Sequence, residues 1–115
     1  MKILFLTENF LPHWGGSRVY YYNVCKNLPA GSVALLTSAS DGSEAIDRTV
    51  GFRIYRVPLA PLGARFHQAN EYWAIFALCV FGFILCLKER PSIIYCGEII
   101  PTSLAGYVLS RIFNI

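Results

Sequence analysis

The chain has 115 residues, of which 55% are hydrophobic and only 15% charged, and its formal net charge is +3. One domain of ordinary size fills that length, which excludes a complete two-domain enzyme. A charged fraction well under the roughly 25% of soluble domains excludes a disordered or nucleic-acid-coating tail and predicts contact with a membrane, a partner or the rest of a larger protein.

Residues 2–7 form a continuous apolar run, the pattern of a strand buried in a parallel sheet. A turn-rich loop follows, with Pro12 and the pair Gly15-Gly16. Ser17 is then placed to cap a helix whose apolar positions are Val19, Tyr20, Val24 and Leu28. Pro29-Ala30-Gly31 ends that helix. Residues 32–37 read as a second strand, 38–49 as a polar loop and 52–57 as a third strand closed by Pro58.

After a loop with two prolines, a long helix is predicted from near Phe66 to about Lys88, broken by Arg90-Pro91-Ser92. Residues 93–96 make a fourth short strand and 97–100 a loop. Pro101 suits the first turn of a last helix over 102–113. This order predicts an α/β fold: a Rossmann-like, doubly wound parallel sheet, incomplete at about four strands, in three αβα layers. The first strand should lie between the second and the fourth, with the third outside the second. Ligands of such sheets bind at the carboxyl ends of strands where the order reverses. That brings residues 8–17 and 97–100 together.

Residues 72–87, YWAIFALCVFGFILCL, are sixteen in a row without a charge. As a helix they would be about 24 Å long, short of a hydrocarbon core of about 30 Å. A buried or interface helix is the first expectation; a membrane-dipping segment or a span are the alternatives. Arg48, Arg53, Arg56 and Arg65 stand in a stretch without Asp or Glu, a zone suited to solvent, phosphate or an anionic headgroup. Together with the apolar helix it predicts peripheral attachment to an anionic cytoplasmic membrane face. No aromatic-interleaved basic ribbon accompanies the arginines, so nucleic acid is not an expected partner.

Cys25, Cys79, Cys86 and Cys96 form no Cys-x-x-Cys pair and have no His at metal-ligand spacing. Buried free thiols in a reducing cytosol are expected, with no metal and no cofactor. The opening residues lack the h-region and cleavage site of a secretion signal.

Gly15-Gly16, between a buried strand and a helix start, permits either a plain tight turn or a cradle of amide N–H groups for an anion. No G-x-G-x-x-G and no Walker lysine is present. The opening MKILFLTENFLPHWGGSRVYYYNVCKNLP and the later RPSIIYCGEIIPTSLAGYVLSRIF resemble, in that order, the N-terminal domain of family-4 retaining glycosyltransferases of the GT-B arrangement. The resemblance implies transfer of a sugar from a nucleotide-sugar donor to an acceptor, with retention.

By position, it implies that Gly15 and Gly16 present amides to the donor diphosphate and sugar, with Arg18 adding charge. It implies acceptor contacts for Glu8, Asn9, His13, Glu98 and Arg65, the acceptor that Arg56 and Arg65 meet being a phosphorylated or lipid-linked one. It implies no metal and no catalytic residue within these residues, the nucleotide-sugar being a co-substrate. The 115 residues would then be the partial, acceptor-side N-terminal domain, without the C-terminal nucleotide-sugar domain and inactive alone. Two other readings stand beside it: a small membrane protein anchored through 72–87, and a non-catalytic α/β binding module.

Overall fold

The computed structural model describes residues 2–8, 10, 16–29, 31–39, 43, 47–48, 50–59, 65 and 67–115, except the side chains of 16–18 and 67. Within these residues the strands β1 (Ile3–Leu6), β2 (Val33–Ser38), β3 (Arg53–Val57) and β4 (Ile93–Cys96) form one four-stranded sheet. Its order is β3-β2-β1-β4 and every pairing is parallel. Ile3 stands level with Val33 on one side and Ile93 on the other; Leu6 is level with Leu36 and Cys96. The predicted order is the observed one, and each strand end lies within one residue of its expected place.

Helices α1 (Gly16–Lys26), α2 (His67–Glu89) and α3 (Leu104–Phe113) flank this sheet. Side chains alternate across a strand, so β1 feeds two cores. Leu4 and Leu6, with Ala34, Leu36 and Val57, pack on Ala77, Leu78 and Cys86 of α2 and on Leu109 of α3. Phe5, Val33 and Leu35 pack on Tyr21 and Cys25 of α1. The result is the expected three-layer α/β architecture. Each fully buried leucine of these cores contributes about 1.5–3 kcal/mol.

Small residues let α2 lie close to its neighbours. Ala74 and Ala77 face inward, and a Cβ on Gly82 would overlap the Leu109 side chain. The helix stops at Arg90, whose φ of 49° is left-handed and whose N–H donates to the Cys86 carbonyl at 3.0 Å. Pro91, lacking an N–H, then prevents continuation.

Four local expectations change. In α1 the buried positions are Tyr21 and Cys25, while Tyr20 is 57% exposed; the inward face is turned by one residue because the Tyr21 ring packs edge-on to Phe5 at 5.3 Å. The helix starts at Gly16, so Ser17 lies within its first turn rather than before it. Regular α3 begins at Leu104, later than expected: Ile100 is extended (φ −130°, ψ 134°), and residues 99–103 form an irregular turn. There the Thr102 and Ser103 hydroxyls donate to the Glu98 carbonyl, at 2.7 Å each, competing with helical bonding. In the segment 38–49, Ser43 and Asp47 are helical rather than loop.

Candidate functional site at the carboxyl ends of β1 and β4

Central position in the sheet makes β1 the strand at which the order reverses. Its carboxyl end lies beside that of β4, and the backbone carries the two together past the last strand pair: the Gly97 N–H donates to the Leu6 carbonyl at 2.8 Å. On the other side, the Thr7 N–H donates to the Leu36 carbonyl at 3.1 Å. Glu98 then reaches back across the junction. Its Oε2 accepts from Thr7 Oγ1 at 2.5 Å and its Oε1 from the Glu8 N–H at 2.7 Å. The Glu98 N–H in turn donates to Thr102 Oγ1 at 2.9 Å.

Tyr21 closes the network from α1. Its hydroxyl donates to the Gly97 carbonyl at 2.5 Å. Burial, followed by the negative charge of Glu98, pushes the Tyr21 phenol up to about 12, so it stays a neutral donor at physiological pH. Gly97 has to be small: a Cβ there would stand 3.0 Å from the Tyr21 ring and 3.1 Å from Thr7 Cβ. Thr37 is fully buried, and its Oγ1 has no hydrogen-bond partner among the described residues. Being two residues beyond Leu35, it shares the α1 side of the sheet. Ser38 Oγ donates to the Glu8 carbonyl at 2.8 Å, tying the carboxyl end of β2 into the same corner.

The predicted site residues divide as follows. Glu8 and Glu98 are brought together, and Gly16 opens α1 on the connection from β1. Gly15, Asn9 and His13 lie outside the described residues, as does the side chain of Arg18. Arg65 is exposed. Arg56 is already engaged: its guanidinium binds both carboxylate oxygens of Asp47 at 2.9–3.1 Å and the Ser38 carbonyl at 2.9 Å. Arg53 pairs with Glu89. The arginine-rich stretch is therefore matched in part by acids from other segments, which sequence proximity concealed.

Thr7, Tyr21 and Thr102 were not expected as members of the site. A polar residue closing an otherwise apolar strand was the available signal for Thr7; nothing local distinguishes Tyr21 from Tyr20 and Tyr22. Among the described residues no group of three or more His, Cys, Asp or Glu is placed to hold a metal. All four cysteines are free thiols, Cys25 and Cys86 buried and Cys79 and Cys96 half-buried.

Two surface cavities are lined by other residues. One, of about 470 Å³, runs along the open edge of β4 and includes Ile93, Cys96, Gly106 and Tyr107. The other, of about 240 Å³, lies between the end of α1 and Phe52. By length and composition α2 can cross a membrane, with 39% of its most apolar window buried within the fold. No protein-family model and no curated protein matches the chain.

Proposed function

We propose that the chain is the acceptor-side half of a retaining glycosyltransferase with two facing Rossmann-like domains. In this reading it moves a sugar from a nucleotide-sugar donor to an acceptor, together with a nucleotide-sugar-binding half outside the 115 residues. The observation that carries the reading is the start of α1 at Gly16, on the connection leaving the carboxyl end of β1, where the strand order reverses. The first N–H groups of a helix have no intrahelical partners and carry partial positive charge. At such a switch point they suit the diphosphate of a sugar donor.

The chemistry asked of this half is limited and fits its residues. As the bond between the anomeric carbon and the diphosphate oxygen breaks, negative charge grows on the leaving group. The Gly15 and Gly16 amides, with Arg18, would stabilise that charge without reorganising. Glu8, Asn9, His13, Glu98 and Arg65 would orient the acceptor hydroxyl toward the same face of the sugar. Glu98 would do so from a carboxylate held by Thr7 and the Glu8 amide. Unpaired thiols support a reducing, cytoplasmic location.

Titration of the isotope-labelled chain with inorganic pyrophosphate and with uridine diphosphate, followed by amide resonances, tests the reading. Progressive shifts concentrated at Gly15, Gly16 and Ser17 are expected. No shift at those amides at millimolar ligand, or shifts confined to the arginine-bearing β3, would remove it.

A further inference from the structure

We infer that the outer face of α2 and α3 is a docking surface for an anionic lipid bilayer, on which both helices lie flat. The surface is distinct from the carboxyl-end site and needs no assumption about glycosyl transfer. Along α2, Phe76, Val80, Ile84 and Leu87 point outward at 59%, 39%, 51% and 58% exposure. Their spacing of three or four residues makes a single stripe on a helix. Beside it α3 exposes Val108 (37%) and Ile112 (56%). The two stripes join where the Phe83 and Phe113 rings approach to 5.1 Å. Contiguous apolar surface of this kind marks an interaction site rather than the scattered apolar residues of an ordinary surface.

Charge decides the occupant. Helices α2 and α3 run back toward the amino end of the sheet, where Lys2, Arg53, Lys88, Arg90 and Arg111 gather. The described acid at that end is Glu89, buried and paired to Lys2 and Arg53. Glu8 and Glu98 lie at the opposite end of the sheet, Glu71 is the fifth residue of α2, far from its Lys88 end, and Asp47 is bound to Arg56. An apolar two-helix face bordered by cations complements the acyl boundary and headgroups of an anionic leaflet. A span through α2 conflicts with its packing: Ala77, Leu78 and Cys86 seat it on the sheet, and Gly82 on Leu109. Lipid therefore meets only the outward stripe.

Co-sedimentation of the full chain with phosphatidylcholine vesicles, with and without phosphatidylglycerol and across a salt series, tests this. Binding to the anionic vesicles is expected, weakening as salt rises. Lys88→Gln and Arg111→Gln should each lower partition about fivefold. The pair Ile84→Gln/Val108→Gln should abolish it with the circular dichroism spectrum unchanged; Leu87→Gln/Ile112→Gln replaces that pair if it fails to fold. Binding indifferent to lipid charge, unaffected by these substitutions, or resistant to alkaline extraction as a span would be, overturns the proposal. So does a dimer dissolved by the apolar pair in a chain that does not bind vesicles.

Discussion

Thr7 and Glu98 join the carboxyl ends of two neighbouring strands through a hydrogen bond of 2.5 Å from Thr7 Oγ1 to Glu98 Oε2. The same carboxylate takes the Glu8 N–H at 2.7 Å, so one side chain fixes the loop after β4 against the loop after β1. Hydrogen bonds to an ionised acceptor contribute about 1.5–3 kcal/mol each.

Thr7→Val keeps the shape of the side chain and removes its donor, leaving Glu98 with one fewer partner. Chemical denaturation should show a loss of about 1.5–3 kcal/mol. Glu98→Gln should cost a similar amount, and the double variant less than the sum of the two. Additivity within about 0.5 kcal/mol would mean that the brace is not an energetic unit.

Glu89 governs acid stability at the other end of the sheet. Burial raises its carboxyl pKa, but the Arg53 hydrogen bond and charge and the Lys2 charge outweigh burial and hold it below the usual value. A depressed folded-state pKa contributes stability that is complete above the unfolded value of about 4.3 and is lost as pH falls through the folded one. Glu89→Gln should cost about 1–2 kcal/mol at neutral pH, less than a fully buried pair because Arg53 is 54% exposed. The gap between wild type and variant should close on acidification below about pH 4. A gap independent of pH would assign the loss to packing.

The architecture was legible because its signals are continuous along the chain. The apolar runs at 3–6 and 33–36 and the breaks at Pro29, Pro58 and Pro91 lie where the structure ends its elements. Orientation within an element was less legible. Tyr20, Tyr21 and Tyr22 are alike in sequence, and only Phe5 on one side and the Gly97 carbonyl on the other select Tyr21. The turn before α3 was hidden for a similar reason, since it depends on the Glu98 carbonyl meeting two hydroxyls. In the candidate site, Glu8 and Glu98 were expected on adjoining loops, but the second bond that fixes the Glu98 carboxylate comes from Thr7, which the apolar run had absorbed into the strand. The partners of Arg53 and Arg56 lie 36 and 9 residues away, beyond the reach of local charge counting.

The thiols should report opening of the two cores. Burial pushes Cys25 up to about 12 and Cys86 up to about 11, so neither supplies much thiolate at pH 8. In the folded chain, mass spectrometry after alkylation should find Cys25 and Cys86 modified far more slowly than in denaturant. Their rates should rise together with global unfolding. Labelling of Cys25 at the denatured rate would show that α1 separates readily from the sheet.

Gly106 offers a test whose sign changes with its neighbour. It lies where α3 crosses β4, and a Cβ there would overlap Cys96 Sγ and stand 3.5 Å from Ile94 Cγ2. Alanine in a helix interior is favoured over glycine by about 1 kcal/mol, but overpacking a filled contact costs about 1–3 kcal/mol. Gly106→Ala should therefore be destabilising by about 1 kcal/mol in the wild-type chain. Replacing Cys96 by alanine removes the obstructing sulfur, and in that background Gly106→Ala should become neutral or stabilising by up to about 1 kcal/mol. Equal effects in the two backgrounds would show that the sulfur does not set the spacing between α3 and β4.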